Sequence, residues 1–404
     1  MHLIYQLIKE YFTIMKLHKI SLLTRILIAI ILGIGAGFVF PEALARIFVT
    51  INSIFSELLE FFIPLIIIGF VAPAIAEIGS RAGKMLIVTA LLAYGMTLFA
   101  GFSSYFVSNT FFPSLISHHA TTVTNGVSLS PYFSISIPSL MNVMTALVLA
   151  FTLGLGCSRL SSKYLQNTIT DFREIINLAI SKIIIPLLPL YIFGIFMNMT
   201  ISGEVGGILL TFIKIIAIIF ALHIGILILQ YCIASMFCKK NPFKMLITML
   251  PAYFTALGTQ SSAATIPVTL KQSIKTGVRE DIGGFVIPLC ATIHMSGSTL
   301  KIVACALALM LTNNMVYDFP MFAGFICMLG ITIVAAPGVP GGAIMASLGL
   351  LSSMLGFSEA DNALMIALYI AMDSFGTACN VTGDGAIALI INNIFKSSDN
   401  KSLA

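Results

Sequence analysis

Apolar runs longer than about 18 residues recur along the whole chain, separated by short polar or charged clusters. A run of that length crosses a bilayer as a helix, whereas a membrane β-barrel would alternate apolar and polar positions, which this chain does not. The pattern predicts an all-α polytopic membrane protein. Eight spanning helices are expected near 20–40, 47–78, 82–107, 138–158, 172–200, 206–237, 281–311 and 360–396. Two further apolar stretches are interrupted: 242–274 holds Pro251, Gly258, Ser261, Ser262 and Pro267, and 320–356 holds Pro337, Gly338, Val339, Pro340, Gly341 and Gly342. Broken backbone at membrane depth is tolerated only against protein or a cavity.

Charge placement adds topology. Lys and Arg gather at 9–25, 81–84, 159–173, 239–244, 271–279 and 396–401; the connections between these clusters hold few basic residues, Arg46 being the exception. By the positive-inside rule these clusters, and both termini, are cytoplasmic. Lys244 and Lys271 flank 26 uncharged residues, enough for one crossing. A single crossing would put Lys271, Lys275 and Arg279 outside. The stretch is therefore read as a re-entrant hairpin with its tip at 259–267, and 320–356 as a second one entering from the opposite side. Two hairpins of opposite entry, each followed by a helix carrying polar residues, form an inverted repeat, the sign of a secondary transporter with a midplane site. Two ordinary helices with proline kinks are the alternative.

Against that apolar background the polar residues stand out. Asp373, Thr377, Asn380 and Asp384 are spaced four, three and four apart. At about 100° per residue they share one stripe of a helix. A carboxylate at the bilayer centre costs roughly 2.5–3.5 kcal/mol on insertion scales. Two on one stripe point to an internal polar site, with a helix-packing hydrogen-bond network as the alternative. His294, Ser298 and Lys301, spaced four and three, form a second stripe. Lys301 needs an anion, Asp373 or Asp384, or a route to water by snorkelling. His294 is either a hydrogen-bonded core residue or a proton carrier. At the broken tips, Ser261 and Ser262 supply hydroxyls, and Gly338, Gly341 and Gly342 permit close backbone approach. The set suits a zwitterion: an amino group on Asp373, a carboxylate on tip amides and Asn380, and a cation on Asp384.

Composition agrees with a membrane chain: 58% of the 404 residues are hydrophobic, 9% are charged, and the mean hydropathy is +1.03. The net charge of +5 forms no basic stripe, which argues against a nucleic-acid partner. Seven scattered cysteines with no CxxC read as small core residues. The first 19 residues, with Lys9, Glu10, Lys16 and Lys19 among apolar positions, read as an interfacial amphipathic helix. An intramembrane enzyme finds no GxSxG or HExxH motif. An ion channel would need a continuous polar pore, which hairpins entering from both sides would close.

The motifs in order are similar to those of the dicarboxylate/amino acid:cation symporters, the glutamate transporter family. The stretch 261–269 resembles that family's serine-rich first hairpin tip. The stretch 291–297, Ala-Thr-Ile-His-Met-Ser-Gly, resembles its ATINMDG motif, 338–343 its second hairpin, and 373–384 its last-helix signature. The resemblance covers roughly 244–395; the N-terminal half matches only in helix pattern.

The resemblance implies a homotrimer in the plasma (inner) membrane, in contact with lipid. A scaffold of 20–80 and 138–202 would hold a mobile elevator domain of 81–137 and 203–396, with 397–404 as a cytoplasmic tail. It places Asp373 on the substrate's amino group, and Asn380, Thr377, Ser261, Ser262 and the tip around Gly338, Val339 and Gly341 on the rest. It places Asn380, Asp384 and His294 at one sodium site and Thr292 and Met295 at another. It implies no cofactor beyond a coupling ion, Na⁺ or H⁺. Three departures stand out. The arginine that would meet an acidic substrate is replaced by Gly376 and Gln260. The Asn and Asp of the ATINMDG motif become His294 and Ser296, and a tyrosine becomes Lys301. An acidic substrate would then bury a carboxylate without a partner. The expectation is a symporter for a small neutral amino acid, with dicarboxylate transport as the alternative. Lys301 is expected to replace a cation beside Asp384, and His294, Ser296 and Lys301 are the candidates for coupling.

Overall fold

A computed structural model describes residues 22–80, 84–116, 129–160, 162–203, 205–334 and 341–399. The expected N-terminal amphipathic segment, and Gly338 and Val339 of the second tip, lie outside these residues. The chain forms fourteen helices among the described residues, and no strand. We label them α1 (Leu22–Val39), α2 (Glu42–Ser80), α3 (Lys84–Leu115), α4 (Val143–Arg159), α5 (Tyr164–Ile201, with a π turn at Ile180–Ile184), α6 (Val205–Cys238), α7 (Pro242–Thr259) and α8 (Ser262–Thr276). The rest are α9 (Glu280–Ile293), α10 (Ser296–Thr312), α11 (Phe319–Val334), α12 (Gly342–Leu355), α13 (Glu359–Ala371) and α14 (Asp373–Asp399).

Seven helical stretches are long and apolar enough to cross a membrane: Leu22–Val39, Glu42–Ala76, Lys84–Leu115, Tyr164–Ile201, Ile213–Cys238, Glu280–Thr312 and Asp373–Phe395. They correspond to seven of the eight expected spans. The other, expected from 138, begins at Val143, where Asn142 accepts the Thr145 amide as N-cap. Its 17 residues are apolar but short. Large apolar side chains such as Ile31, Phe38, Leu91, Val148 and Met236 face outward, as lipid-facing residues do.

Helices α1, α2, α4 and α5 pack mainly on one another. Helix α3 packs against α10, and α14 lies against α6, α7, α8, α9 and α10. Helices α11, α12 and α13 touch both groups. The core follows this division: α10 is buried over its whole length from Ser296 to Met310, and so is nearly all of α14 from Thr377 to Asn392.

The first broken stretch has local causes. Pro242 and the Asn241 side chain start α7, the latter accepting the Phe243 and Lys244 amides. Gln260, at φ 53° in the left-handed region, stops it. Ser261 then caps α8 by accepting the Ala264 amide, and Gly277 at φ 105° ends that helix. The Lys240 ammonium donates to the Thr276 carbonyl at one end, and the Thr259 and Thr265 hydroxyls meet at the other, so α7 and α8 run side by side in opposite senses. The reversal sits at Gln260–Ser261; Pro251 and Pro267 lie inside the helices.

Two expected continuous helices are broken instead. The span near 281–311 divides at His294 (φ −99°, ψ 107°) and Met295 (φ −124°, ψ 37°). His294 therefore does not share a continuous helical stripe with Ser298 and Lys301. The span near 360–396 divides at Met372 (φ −110°, ψ 11°), just before Asp373. Asp373 is thus the first residue of α14, where a helix N-terminus favours a carboxylate. The stripe from Asp373 to Asp384 remains within one helix.

Candidate functional site

The site forms where these breaks meet. Asn380 on α14 sits against the α10 N-terminus, and its Oδ1 accepts the amides of Gly297 (2.8 Å) and Ser298 (3.4 Å). Its Nδ2 donates to the Ser298 hydroxyl (3.1 Å) and lies 3.5 Å from the Met295 sulfur. Asn380 thus supplies the capping that the broken helix needs. Gly297 allows the approach: a Cβ there would lie 2.5 Å from the Gly376 carbonyl oxygen and 2.7 Å from Cys379 Cβ.

Lys301 does not snorkel; its side chain is fully buried. Its partner is Asp373, not Asp384: Nζ donates to Asp373 Oδ1 at 2.9 Å. The ammonium also faces the carbonyl oxygens of Tyr369 (3.4 Å) and Met372 (3.5 Å) and lies 3.4 Å from the centroid of the Tyr369 ring. The break at Met372 explains this nest. The C-terminal end of α13 presents carbonyls to a cation, while the N-terminal end of α14 holds the anion. The other carboxylate oxygen of Asp373 accepts the Gly341 amide at 2.9 Å, and Gly341, at φ 79°, is the N-cap residue just before α12. Gly376 makes room for the lysine: a Cβ there would stand 2.9 Å from Nζ and 3.0 Å from Cε.

A second buried pair lies deeper along α14. His294 Nδ1 donates to Asp384 Oδ1 at 2.9 Å, with both side chains sequestered from solvent. The Gln230 amide nitrogen of α6 lies 3.4 Å from His294 Nε2 and donates to the Ser296 hydroxyl at 3.2 Å. That orientation matches a neutral imidazole that donates through Nδ1 and accepts through Nε2. A protonated ring would turn Nε2 into a donor, so Gln230 would have to rotate and present Oε1, which has no partner as it stands. Gly383 lets these groups close up, since a Cβ there would lie 2.5 Å from both Gln230 Oε1 and His294 Cε1.

Beside Asp373 lies a small cavity lined by Gln260, Ser262, Met295, Asp373, Thr377 and Asn380 among others. About 30 Å³ of it is open to the centre of a water molecule, room for one or two waters. Gln260 reaches across from the α7–α8 turn and donates to the Ser374 hydroxyl at 2.9 Å. No Lys or Arg is among the described lining residues. The sequence-predicted Ser262, Gln260, Asp373, Thr377, Asn380 and Met295 therefore converge, with Ser261 adjacent as the α8 cap and Gly376 against Lys301. Thr292 does not join them: it is exposed, and its hydroxyl donates to the Leu289 carbonyl one turn back.

Three contributors were not foreseen. Tyr369 reads in sequence as an ordinary core aromatic. Gln230 and His223 carry a signal, two polar residues seven apart in the apolar run of α6. His223 Nε2 bonds the Gly297 carbonyl oxygen at 3.0 Å, so this helix also supports the break at Met295.

The family model described as "Sodium:dicarboxylate symporter family" matches residues 22–394. The chain is also similar to serine/threonine transporters SstT from three Acinetobacter baumannii strains, ATCC 17978, AYE and AB307-0294. Each is 26% identical over 385 residues, which cover 91% of this chain and 95% of the relative.

Proposed function

Because the chain belongs to the sodium:dicarboxylate symporter family, and is thus a multi-pass membrane transporter rather than an enzyme, we propose that it carries a small neutral amino acid in symport with a cation. The observation that carries this reading is the charge around the cavity. Asp373 offers one carboxylate for an amino group, while Gly376 and Gln260 leave no guanidinium for a second substrate carboxylate. A buried carboxylate without a partner is costly. The relatives' name, serine/threonine transporter, agrees with a small hydroxylated substrate. Lys301 favours a second reading: released from Asp373, its ammonium could meet an acidic side chain, which would make the substrate a dicarboxylate.

The coupling cation is Na⁺ or H⁺. Asn380 and Asp384 supply oxygens for the first, and the His294–Asp384 pair supplies a proton-carrying alternative. We read α7–α8 and α11–α12 as two re-entrant hairpins among eight crossings. Helices α1, α2, α4 and α5 are the scaffold of a homotrimer, and α3 with α6–α14 is the moving elevator, in an inner membrane with both termini cytoplasmic. The mutual packing within each group supports this division.

Uptake into proteoliposomes tests the reading. Labelled serine, threonine and alanine should accumulate under an imposed Na⁺ or proton gradient, and excess aspartate should not inhibit. Aspartate accumulation would establish the dicarboxylate reading instead. Serine uptake that ignores Na⁺ and follows the proton gradient would assign the coupling to the proton.

A further inference from the structure

We propose that Lys301 is a built-in occupant of the site that receives the substrate's amino group, so that substrate binds by displacing a tethered amine from Asp373; this deepens the symporter reading above and rests on it. The nest around Nζ is what a free primary ammonium would need. It combines a carboxylate oxygen at 2.9 Å, two carbonyl oxygens at 3.4 and 3.5 Å, and the face of Tyr369 with its centroid at 3.4 Å. A lysine held by packing alone would not need all four. The room for it comes from Gly376, where any side chain would overlap Nζ and Cε.

The space next to the nest holds only one or two waters, so the groups around it must move before anything of amino-acid size enters. Lys301 itself does not line that space; it stands behind it, against Asp373 and Tyr369, which do. The pair also fastens the tip of α12, because the same carboxylate accepts the Gly341 amide. An arriving amine can take over Asp373 without leaving that amide unpartnered. In the unloaded carrier the lysine gives the carboxylate its counter-charge, so the empty site never buries a bare anion.

The test uses the full-length protein as wild type, Lys301→Ala and Lys301→Ala/Asp373→Asn. The first readout is thermal unfolding with methylammonium, and with tetramethylammonium as a control for ionic strength. Methylammonium should raise the midpoint of Lys301→Ala only, and tetramethylammonium should raise none. The second readout is serine affinity. A lysine that holds Asp373 lowers the fraction of molecules competent to bind and weakens binding in proportion, so Lys301→Ala should bind serine at least about threefold more tightly, with methylammonium competing. If Lys301→Ala fails to fold, Lys301→Met keeps the length of the side chain without its charge and should show the same gain. A folded Lys301→Ala or Lys301→Met that binds serine no more tightly than wild type overturns the proposal, as does a folded Lys301→Ala blind to methylammonium. The thermal readout needs no substrate. A methylammonium response without serine binding would uphold the tethered amine and reject serine as the substrate.

Discussion

Gly376 and Lys301 act as one unit. The glycine looks like the loss of a substrate contact when read along α14, yet in space its missing Cβ is the volume through which the lysine reaches Asp373. Gly376→Ala should therefore dislodge Lys301 and strip a buried carboxylate of its partner. Overpacking of this kind costs about 1–3 kcal/mol. The penalty should shrink to a few tenths of a kcal/mol in a Lys301→Ala background, because the two changes share one space. Unfolding midpoints of the four proteins in the cycle measure this, and equal penalties in both backgrounds would show that the alanine strains the backbone instead. The residue types were legible in sequence, including the need of Lys301 for an anion. The choice between Asp373 and Asp384 was not. It depends on α13 ending at Met372, whose carbonyl ends draw the ammonium to Asp373, while His294 occupies Asp384.

At the scale of elements, the apolar pattern foretold most helices and one of the breaks. The breaks at Met295 and Met372 were invisible because no proline or glycine marks them. Each is stabilised by groups from elsewhere: Asn380 and Thr97 receive the amides around Met295, and Lys301 and Asp373 sit on the two ends exposed at Met372. Propensity is local and these partners are not, so a periodic apolar run reads as one helix. The α7–α8 reversal was legible in kind from its serines and charge parity. It turns at Gln260, however, since a left-handed residue followed by a serine cap breaks a helix more sharply than Pro251 or Pro267 does. At Gly297, α10 lies close against Gly376 and Cys379 of α14. Gly297→Ala would force a Cβ to 2.5 Å from a backbone oxygen, which cannot yield as a side-chain tip can. The expected result is a loss of about 2 kcal/mol or more of stability, together with serine binding weakened at least tenfold, as Asn380 loses its hold on the α10 amides. A variant with unchanged binding and midpoint would mean that the α10–α14 seam gives way without disturbing the site.

For the whole molecule, the question is whether α1, α2, α4 and α5 stand still while the site-bearing helices travel. Gly349 of α12 lies against Ile63 of α2, close enough that a Cβ on the glycine would meet Ile63 Cγ2 at 2.5 Å. Two cysteines there, Ile63→Cys and Gly349→Cys, bring their Cβ atoms within disulfide range. Oxidation should tie the groups together. An elevator requires one to slide past the other, so the cross-linked protein should still bind serine within about threefold of wild type but lose at least about 90% of its uptake, with recovery on reduction. Ile63→Cys alone, oxidised in the same way, should transport normally, which guards against effects of the native cysteines. The described residues that line the cavity all belong to the moving side of the proposed division, so a tether at α2 should leave the cavity's geometry alone and block only its passage across the membrane. Uptake at the wild-type rate by fully cross-linked protein would place the motion within the site-bearing helices themselves.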